Sequence, residues 1–158
     1  MTASDFPQGD AGARMASDLA ASVHTPKVIV VSAAGSPPAA PAGSTQNRGA
    51  SGNVANAAAV ATLDSDAAKT TYIAGFSLTA AGATTALPVI ATVAGLLGGT
   101  MSFIFVFPAG VLIGAQPYTV AFDPPLPASA ADTDIVVTLP AGGAGNTHAS
   151  ANAWGYKV

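Results

Sequence analysis

The feature that most constrains this chain is a run of 53 residues, 70–122, without a single charged side chain. Such a run has to be buried, either in a membrane or in protein. In the segment TMSFIFVFP (100–108), Met101, Phe103, Phe105 and Phe107 alternate with residues of a second face. Alternation with a period of two is typical of a β-strand and not of a helix. The pattern therefore favours burial in a β-sheet protein.

A membrane-spanning helix is the alternative for residues 86–115, which are uncharged, largely apolar and long enough to cross a bilayer. No Lys or Arg cluster flanks this stretch to set an orientation. Glycine and proline also interrupt it repeatedly, at Pro88, Gly95, Gly98, Gly99, Pro108 and Gly110. Two buried strands joined by a Gly-Gly turn explain the pattern better, so we predict no membrane partner.

The composition argues against a helical protein. Charged residues make up 8% of the chain, compared with about 25% in an average protein. All eight acidic residues are Asp, while Thr, Val, Gly and Pro are plentiful, which disfavours helices. The five basic residues are too scattered to neutralise phosphates, so we predict no nucleic-acid partner. They are Arg14, Lys27, Arg48, Lys69 and Lys157.

The chain has no cysteine, which excludes disulfides, thiolate catalysis and cysteine-based zinc sites. The beginning MTASDFPQGD lacks a basic segment followed by an apolar run, so no cleavable secretion signal is predicted. Both features fit folding in a cytosol.

Seven segments with strand character follow one another from residue 53, separated by turns rich in Gly, Pro and Asp. The segment KVIVVSA (27–33) would add an eighth. We therefore predict an all-β protein, an antiparallel β-sandwich or jelly roll of about seven to eight strands, with its domain at 53–158. The predicted strands are 53–63, 70–80, 86–95, 100–108, 117–123, 133–139 and 146–158.

Residues 1–52 are predicted to form an extended N-terminal arm. It would contain a short helix near 11–22 and the strand 27–33, followed by a Ser, Pro, Ala and Gly-rich tract at 35–52 with the composition of a linker. We expect this arm to lie on a neighbouring subunit. The predicted interface residues are Val28, Val30, Pro37, Pro38, Pro41, Trp154 and Tyr156.

Alternation within the strands predicts which side chains form the core. The segment 72–78 places Tyr72, Ala74, Phe76 and Leu78 on one face, and similar patterns recur at 118–122 and 135–139. The phenylalanines of 100–108 would lie at its centre. The predicted core consists of Tyr72, Phe76, Leu78, Met101, Phe103, Phe105, Phe107, Val120, Phe122, Ile135, Val137 and Leu139.

The sequence offers little that resembles a catalytic centre. Its two histidines, His24 and His148, have no acidic residue at a recognisable ligand or triad spacing. The pattern GxSxG is absent, and Ser77 in GFSLT belongs to a predicted strand. The glycine runs do not open helices, so they are not phosphate-binding loops. We predict no catalytic residues and no cofactor.

Two pairs of acids, Asp64/Asp66 and Asp132/Asp134, have the spacing with which a calcium loop begins, but the rest of the EF-hand pattern is missing. Turn formation is the simpler interpretation, and no metal is predicted, although the pairs leave that question open. Trp154 and Tyr156 share a face, which suits either burial or an aromatic platform for a sugar; we favour burial.

The segments YIAGFSLTAAGATT (72–85), 95–147 and ANAWGYKV (151–158) resemble small β-sandwich structural proteins of tailed-phage virions. The resemblance covers roughly the last 90 residues and implies no catalytic residues. It implies a capsid decoration, or cement, protein: a homotrimer that binds the major capsid protein. Such a protein is made in the bacterial cytoplasm and ends on the capsid surface.

Two other functions are compatible with the same residues. One is a receptor- or carbohydrate-binding module of a phage tail or fibre, with Trp154, Tyr156 and Tyr118 exposed at one end of the sandwich. The other is a pilus or surface-layer subunit that donates the strand 27–33 to its neighbour. An enzyme has the least support in the sequence.

Overall fold

A computed structural model describes residues 40–110 and 117–158. The predicted helix near 11–22, the strand 27–33 and the interface residues Val28, Val30, Pro37 and Pro38 lie outside the described residues. Within them the chain is all-β and contains no helix. The eight strands are β1 (Thr45–Ala50), β2 (Ala59–Leu63), β3 (Thr71–Ala81), β4 (Leu87–Ala94), β5 (Met101–Phe107), β6 (Tyr118–Pro127), β7 (Ile135–Leu139) and β8 (His148–Lys157).

The strands form two four-stranded antiparallel sheets, and their buried faces share one hydrophobic core. The first sheet has the order β1-β8-β3-β6, and the second has the order β2-β7-β4-β5. The pairing is nested, since β1 pairs with β8, β2 with β7, β3 with β6 and β4 with β5. The result is a β-sandwich, as the sequence predicted at this level.

The sandwich begins at Thr45 and not at residue 53, where the sequence placed its start. The segment TQNRGA, assigned to the linker because of the Ser, Pro, Ala and Gly-rich composition of residues 35–52, is strand β1. It pairs along its whole length with β8, from Thr45 opposite Lys157 to Ala50 opposite Asn152. Pairing with a well-formed neighbour therefore outweighs the weak strand propensity of this segment.

Ten of the twelve predicted core residues contribute to the core. Three of these, Phe103, Val120 and Phe122, are only partly buried and pack against its surface. The phenylalanines contact one another, with Phe105 perpendicular to Phe107 at a centroid distance of 5.4 Å. The seven buried members are Phe76, Leu78, Phe105, Phe107, Ile135, Val137 and Leu139.

The core placement of Tyr72 was wrong, because a β-bulge changes the direction of the side chains within β3. On β8, Gly155 lies opposite Ile73 and the next residue, Trp154, lies opposite Gly75, so Ala74 is the extra residue. The bulge reverses the alternation. Ile73 therefore faces the core together with Phe76, while Tyr72 lies on the outer face and stacks on Tyr156 at 5.0 Å.

Met101 was also placed wrongly in the core. It lies on the same side of β5 as Phe105 and Phe107, but at the start of the strand, where it remains 38% exposed.

The predicted strand 117–123 ended before Pro124-Pro125, but both prolines lie inside β6. There, residues 122–125 interrupt the regular pairing with β3, at the edge of the first sheet, where proline is tolerated.

Candidate functional site

The outer face of the second sheet carries no charged residue on its four strands. We call it the aliphatic face. Its most exposed side chains cluster on β4 and β5, where Ile90 lies opposite Ile104 and Pro88 opposite Val106. Ile104 is 75% exposed, Ile90 58% and Val106 55%. The outward positions are Val60, Thr62, Pro88, Ile90, Thr92, Ala94, Ser102, Ile104, Val106, Val136 and Thr138.

The strand pairing explains why these residues form one surface. Alternate residues of neighbouring strands are aligned, so Val60 of β2 lies opposite Thr138 of β7, which in turn lies opposite Thr92 of β4. The next partner, on β5, is Ser102. Such a row of β-branched and hydroxyl side chains is uncharged. The aliphatic face can therefore bind a surface through apolar contact, with no ion pairs from the strands themselves.

The outer face of the first sheet has a different chemistry, because it carries polar side chains on β1 and β8 and two aromatic side chains on β8. It contains a groove of 660 Å³, which we call the β1-β8 groove. Arg48 of β1 lies opposite Trp154 of β8, and Gln46 lies opposite Tyr156. Asn152 extends the groove along β8, and Ala74, the extra residue of the β3 bulge, also lines it.

The two aromatic side chains of the groove are each held by a close neighbour. Trp154 lies against backbone, and Tyr156 lies against a second ring. A Cβ atom at position 75 would lie 2.6 Å from Cζ2 of Trp154, so the indole lies against the backbone at Gly75. Tyr156 stacks on Tyr72 with an angle of 16° between their rings. Burial, and to a lesser extent the neighbouring Tyr72, raises the pKa of Tyr156 above its usual value of 10.0.

The two predicted acid pairs are close together at one end of the sandwich, where Ser65 bridges them. Its backbone N–H donates to Oδ1 of Asp134 at 2.6 Å, and its hydroxyl donates to Oδ1 of Asp132 at 3.3 Å. Hydrogen bonding by Ser65 lowers the pKa of Asp134. These contacts tie the β2-β3 turn to the β6-β7 turn, which is a structural role.

Asp66 is engaged by two lysines. Its carboxylate lies 3.0 Å from Nζ of Lys157 and 3.7 Å from Nζ of Lys69. The hydrogen bond from Lys157 is the main cause that lowers the pKa of Asp66. In residues 40–110 and 117–158, no set of three or more His, Asp or Glu side chains is arranged to hold a metal ion.

The remaining predicted residues occupy separate places. His148 Nδ1 lies 3.3 Å from Oδ1 of Asn53 at the exposed start of β8, and His24 is outside the described residues. Pro41 is exposed, and its carbonyl accepts a bond from the Ser44 N–H in a turn before β1. Ser77 lies on the outer face of β3, and Tyr118 is exposed beside Phe105.

No helix in the described part of the chain is long and apolar enough to span a membrane.

Sequence reasoning found Trp154 and Tyr156 but missed the partners that complete the groove. Gln46 and Arg48 were assigned to a linker, and Asn152 was not considered. Their only sequence signal is alternation: Gln46 and Arg48 have the same parity, as do Asn152, Trp154 and Tyr156. That signal gains meaning only when β1 is known to pair with β8.

Comparison of this chain with protein-family models, with curated proteins and with solved structures finds no significant match.

Proposed function

We propose that this chain is a non-enzymatic structural subunit of a tailed-phage virion, a decoration protein that attaches to the capsid through the aliphatic face. The composition of that face carries the proposal. Eleven outward positions on four strands are all uncharged, and Ile90, Ile104 and Val106 are each more than half exposed. A cluster of exposed apolar side chains on an uncharged face marks a site of protein interaction more often than a solvated face does.

The strand order supports the further proposal that the sandwich is a jelly roll. The nested pairs β1:β8, β2:β7, β3:β6 and β4:β5 are those of one long antiparallel hairpin folded over on itself. Jelly rolls of eight strands in two sheets are common in viral capsid proteins and also in lectins. Because one fold serves many functions, the topology adds weight only in combination with the aliphatic face.

The binding mechanism is burial of apolar surface. Fully burying a large aliphatic side chain contributes roughly 1.5–3 kcal/mol, and Ile104 still has three quarters of its surface available. The partner is the major capsid protein, and the decoration protein acts as a homotrimer at a local three-fold axis. Three aliphatic faces held together then bind far more tightly than one. The trimer is tested by native mass spectrometry, which should give three times the 15.2 kDa of one chain.

The first experiment measures the copy number of the chain in purified phage particles, by gel densitometry against the major capsid protein. Hundreds of copies per particle are expected of a lattice-binding decoration protein. A handful of copies would contradict capsid decoration and favour a tail or vertex protein that binds a receptor. Absence from particles would overturn the proposal.

The second experiment tests the aliphatic face directly, with Ile104→Asp and the control Thr119→Asp. Thr119 is exposed on β6 of the first sheet, opposite Ser77, so it adds the same charge to the other outer face. Ile104→Asp should abolish attachment to capsids while the control still attaches, with circular dichroism showing that both are folded. Wild-type attachment should also resist about 0.5 M NaCl, since salt screens only charges. Attachment of Ile104→Asp, or release by this salt, would contradict the proposal.

A further inference from the structure

The β1-β8 groove lies on the sheet opposite the aliphatic face, and capsid attachment does not use it. We propose that this groove binds an acidic saccharide, a sugar unit that carries a carboxylate, as uronic acids do. Its volume of 660 Å³ lies within the range of about 300–1,000 Å³ that small-molecule sites occupy. This inference is independent of the proposed function, because it concerns other residues and another ligand.

The side chains of the groove match the groups that a sugar presents. The amides of Gln46 and Asn152 each donate and accept hydrogen bonds, which suits hydroxyl groups that do the same. Trp154 and Tyr156 offer apolar rings with a polar N–H or O–H, which suits the C–H groups and hydroxyls of a pyranose. A purely apolar ligand would leave both amides without partners, and this would cost binding energy.

Arg48 determines the sign of the charge that we expect on the ligand. Its side chain is exposed at the groove, and no carboxylate among the described residues lies within ion-pair distance of it; the described ion pairs join Asp66 to Lys69 and Lys157. The described residues that line the groove include no acid. A guanidinium binds a carboxylate through two parallel hydrogen bonds. One cation among amides and rings suits a single carboxylate, whereas a nucleic acid requires many cations.

The groove is built on paired strands, which hold its side chains in place. Strand β8 has β1 on one side and β3 on the other, so Trp154 and Tyr156 belong to a central strand. The contact of Trp154 with Gly75 and the stacking of Tyr156 on Tyr72 further restrict both rings. A rigid arrangement of this kind reduces the entropy that binding costs. A peptide strand added to the edge of the sheet would instead contact β1 on the side away from β8 and leave the groove open.

The test uses the full chain and its single tryptophan as a reporter. Oligosaccharides of galacturonic acid are titrated against tryptophan fluorescence, with neutral galactose oligomers of the same length as the matched ligand. We expect a saturable change with the acidic series and a dissociation constant at least about tenfold higher for the neutral series. No saturable change with either series, or equal affinity for both, would overturn the proposal.

Variants then locate the binding site. Arg48→Gln changes an exposed side chain and should leave the fold intact. Arg48→Gln should weaken binding of galacturonate oligomers about ten- to a hundredfold, the usual effect of losing a charged hydrogen bond, and Arg48→Lys should restore part of it. Lys69→Gln removes the same charge at the acid-pair end of the sandwich and should leave the affinity unchanged. Equal affinity of Arg48→Gln and wild type, or equal loss in Lys69→Gln, would overturn the assignment.

Discussion

The indole of Trp154 lies so close to the backbone at Gly75 that a Cβ atom there would be 2.6 Å from its Cζ2. The carbonyl oxygen of Val120, on the neighbouring strand β6, would be equally close to that Cβ. Glycine is therefore required at position 75 for two reasons, the ring on one side and the sheet on the other. This contact connects the bulge of β3 to the shape of the β1-β8 groove.

We predict that Gly75→Ala destabilises the protein by about 1–3 kcal/mol, the usual cost of adding a methyl group to a packed site. The added Cβ should also displace the indole and shift the emission of the single tryptophan. Gly98→Ala is the control, because a Cβ there has no neighbour within 4 Å and the residue is not among those with positive φ. Urea denaturation measures both variants. Equal stability of the two would contradict the packing described here.

Much of the sandwich could be predicted from the sequence, because its strands have two distinct faces. Strand-like segments between turn residues matched β3, β4, β5, β7 and β8 to within two residues at each end, and alternation identified most of the core. It failed for Tyr72 because a bulge is one extra residue whose position depends on the neighbouring strand. It failed for Met101 because burial also depends on how far a strand extends beyond the core.

The β1-β8 groove could not be predicted, since it depends on contacts between residues far apart in the sequence. Arg48 and Trp154 are more than 100 positions apart, and only the register of β1 on β8 places them side by side. The segment TQNRGA has little intrinsic tendency to form a strand, so nothing local marks it as part of the sheet. The aliphatic face was not predicted either, because the charge-free run was expected to be buried, whereas Ile90, Ile104 and Val106 within it are each more than half exposed.

Phe107 and Met101 lie on the same side of β5 but should differ sharply in their importance. Phe107 is fully buried and packs against Phe105, whereas Met101 is 38% exposed. Phe107→Ala should lower the free energy of unfolding by about 3–5 kcal/mol, because it leaves a large cavity. Met101→Ala should change it by about 0.5 kcal/mol or less. Urea denaturation measures the free energy of unfolding of both variants. Similar losses would contradict the placement of Met101 outside the core.

Removing the hydroxyl group of Thr71 should stabilise the folded protein. The side chain is fully buried, and its Oγ1 has no hydrogen-bond partner among the described residues. Thr71→Val replaces this group with a methyl of similar shape and should raise the free energy of unfolding by up to about 1 kcal/mol. In the control Thr79→Val, a 2.6 Å hydrogen bond to Ser150 is lost, so stability should decrease by about 0.5–1.5 kcal/mol. A loss of stability in Thr71→Val would show that its hydroxyl has a partner.

The acid pairs should make the protein less stable in acid. Hydrogen bonds from Lys157 and Ser65 lower the pKa values of Asp66 and Asp134 below their ordinary value of 3.8 in the folded state. The folded protein therefore releases these protons more readily than the unfolded chain. Their stabilising contribution is complete above the unfolded pKa and is lost as the pH falls through the lowered values, below about pH 4.

We expect the melting temperature of wild type to fall between pH 5 and pH 2.5, and the Asp66→Asn and Asp134→Asn variants to show a shallower fall. Asp66→Asn should also be less stable at neutral pH, because it leaves the largely buried Lys157 without its carboxylate. Asp64→Asn is the matched control, since the side chain of Asp64 forms no hydrogen bond or ion pair with the described residues. If the melting temperature falls equally steeply in all three variants, other groups cause the acid sensitivity. The contacts of Asp66 with Lys157 and of Asp134 with Ser65 would then not contribute to it.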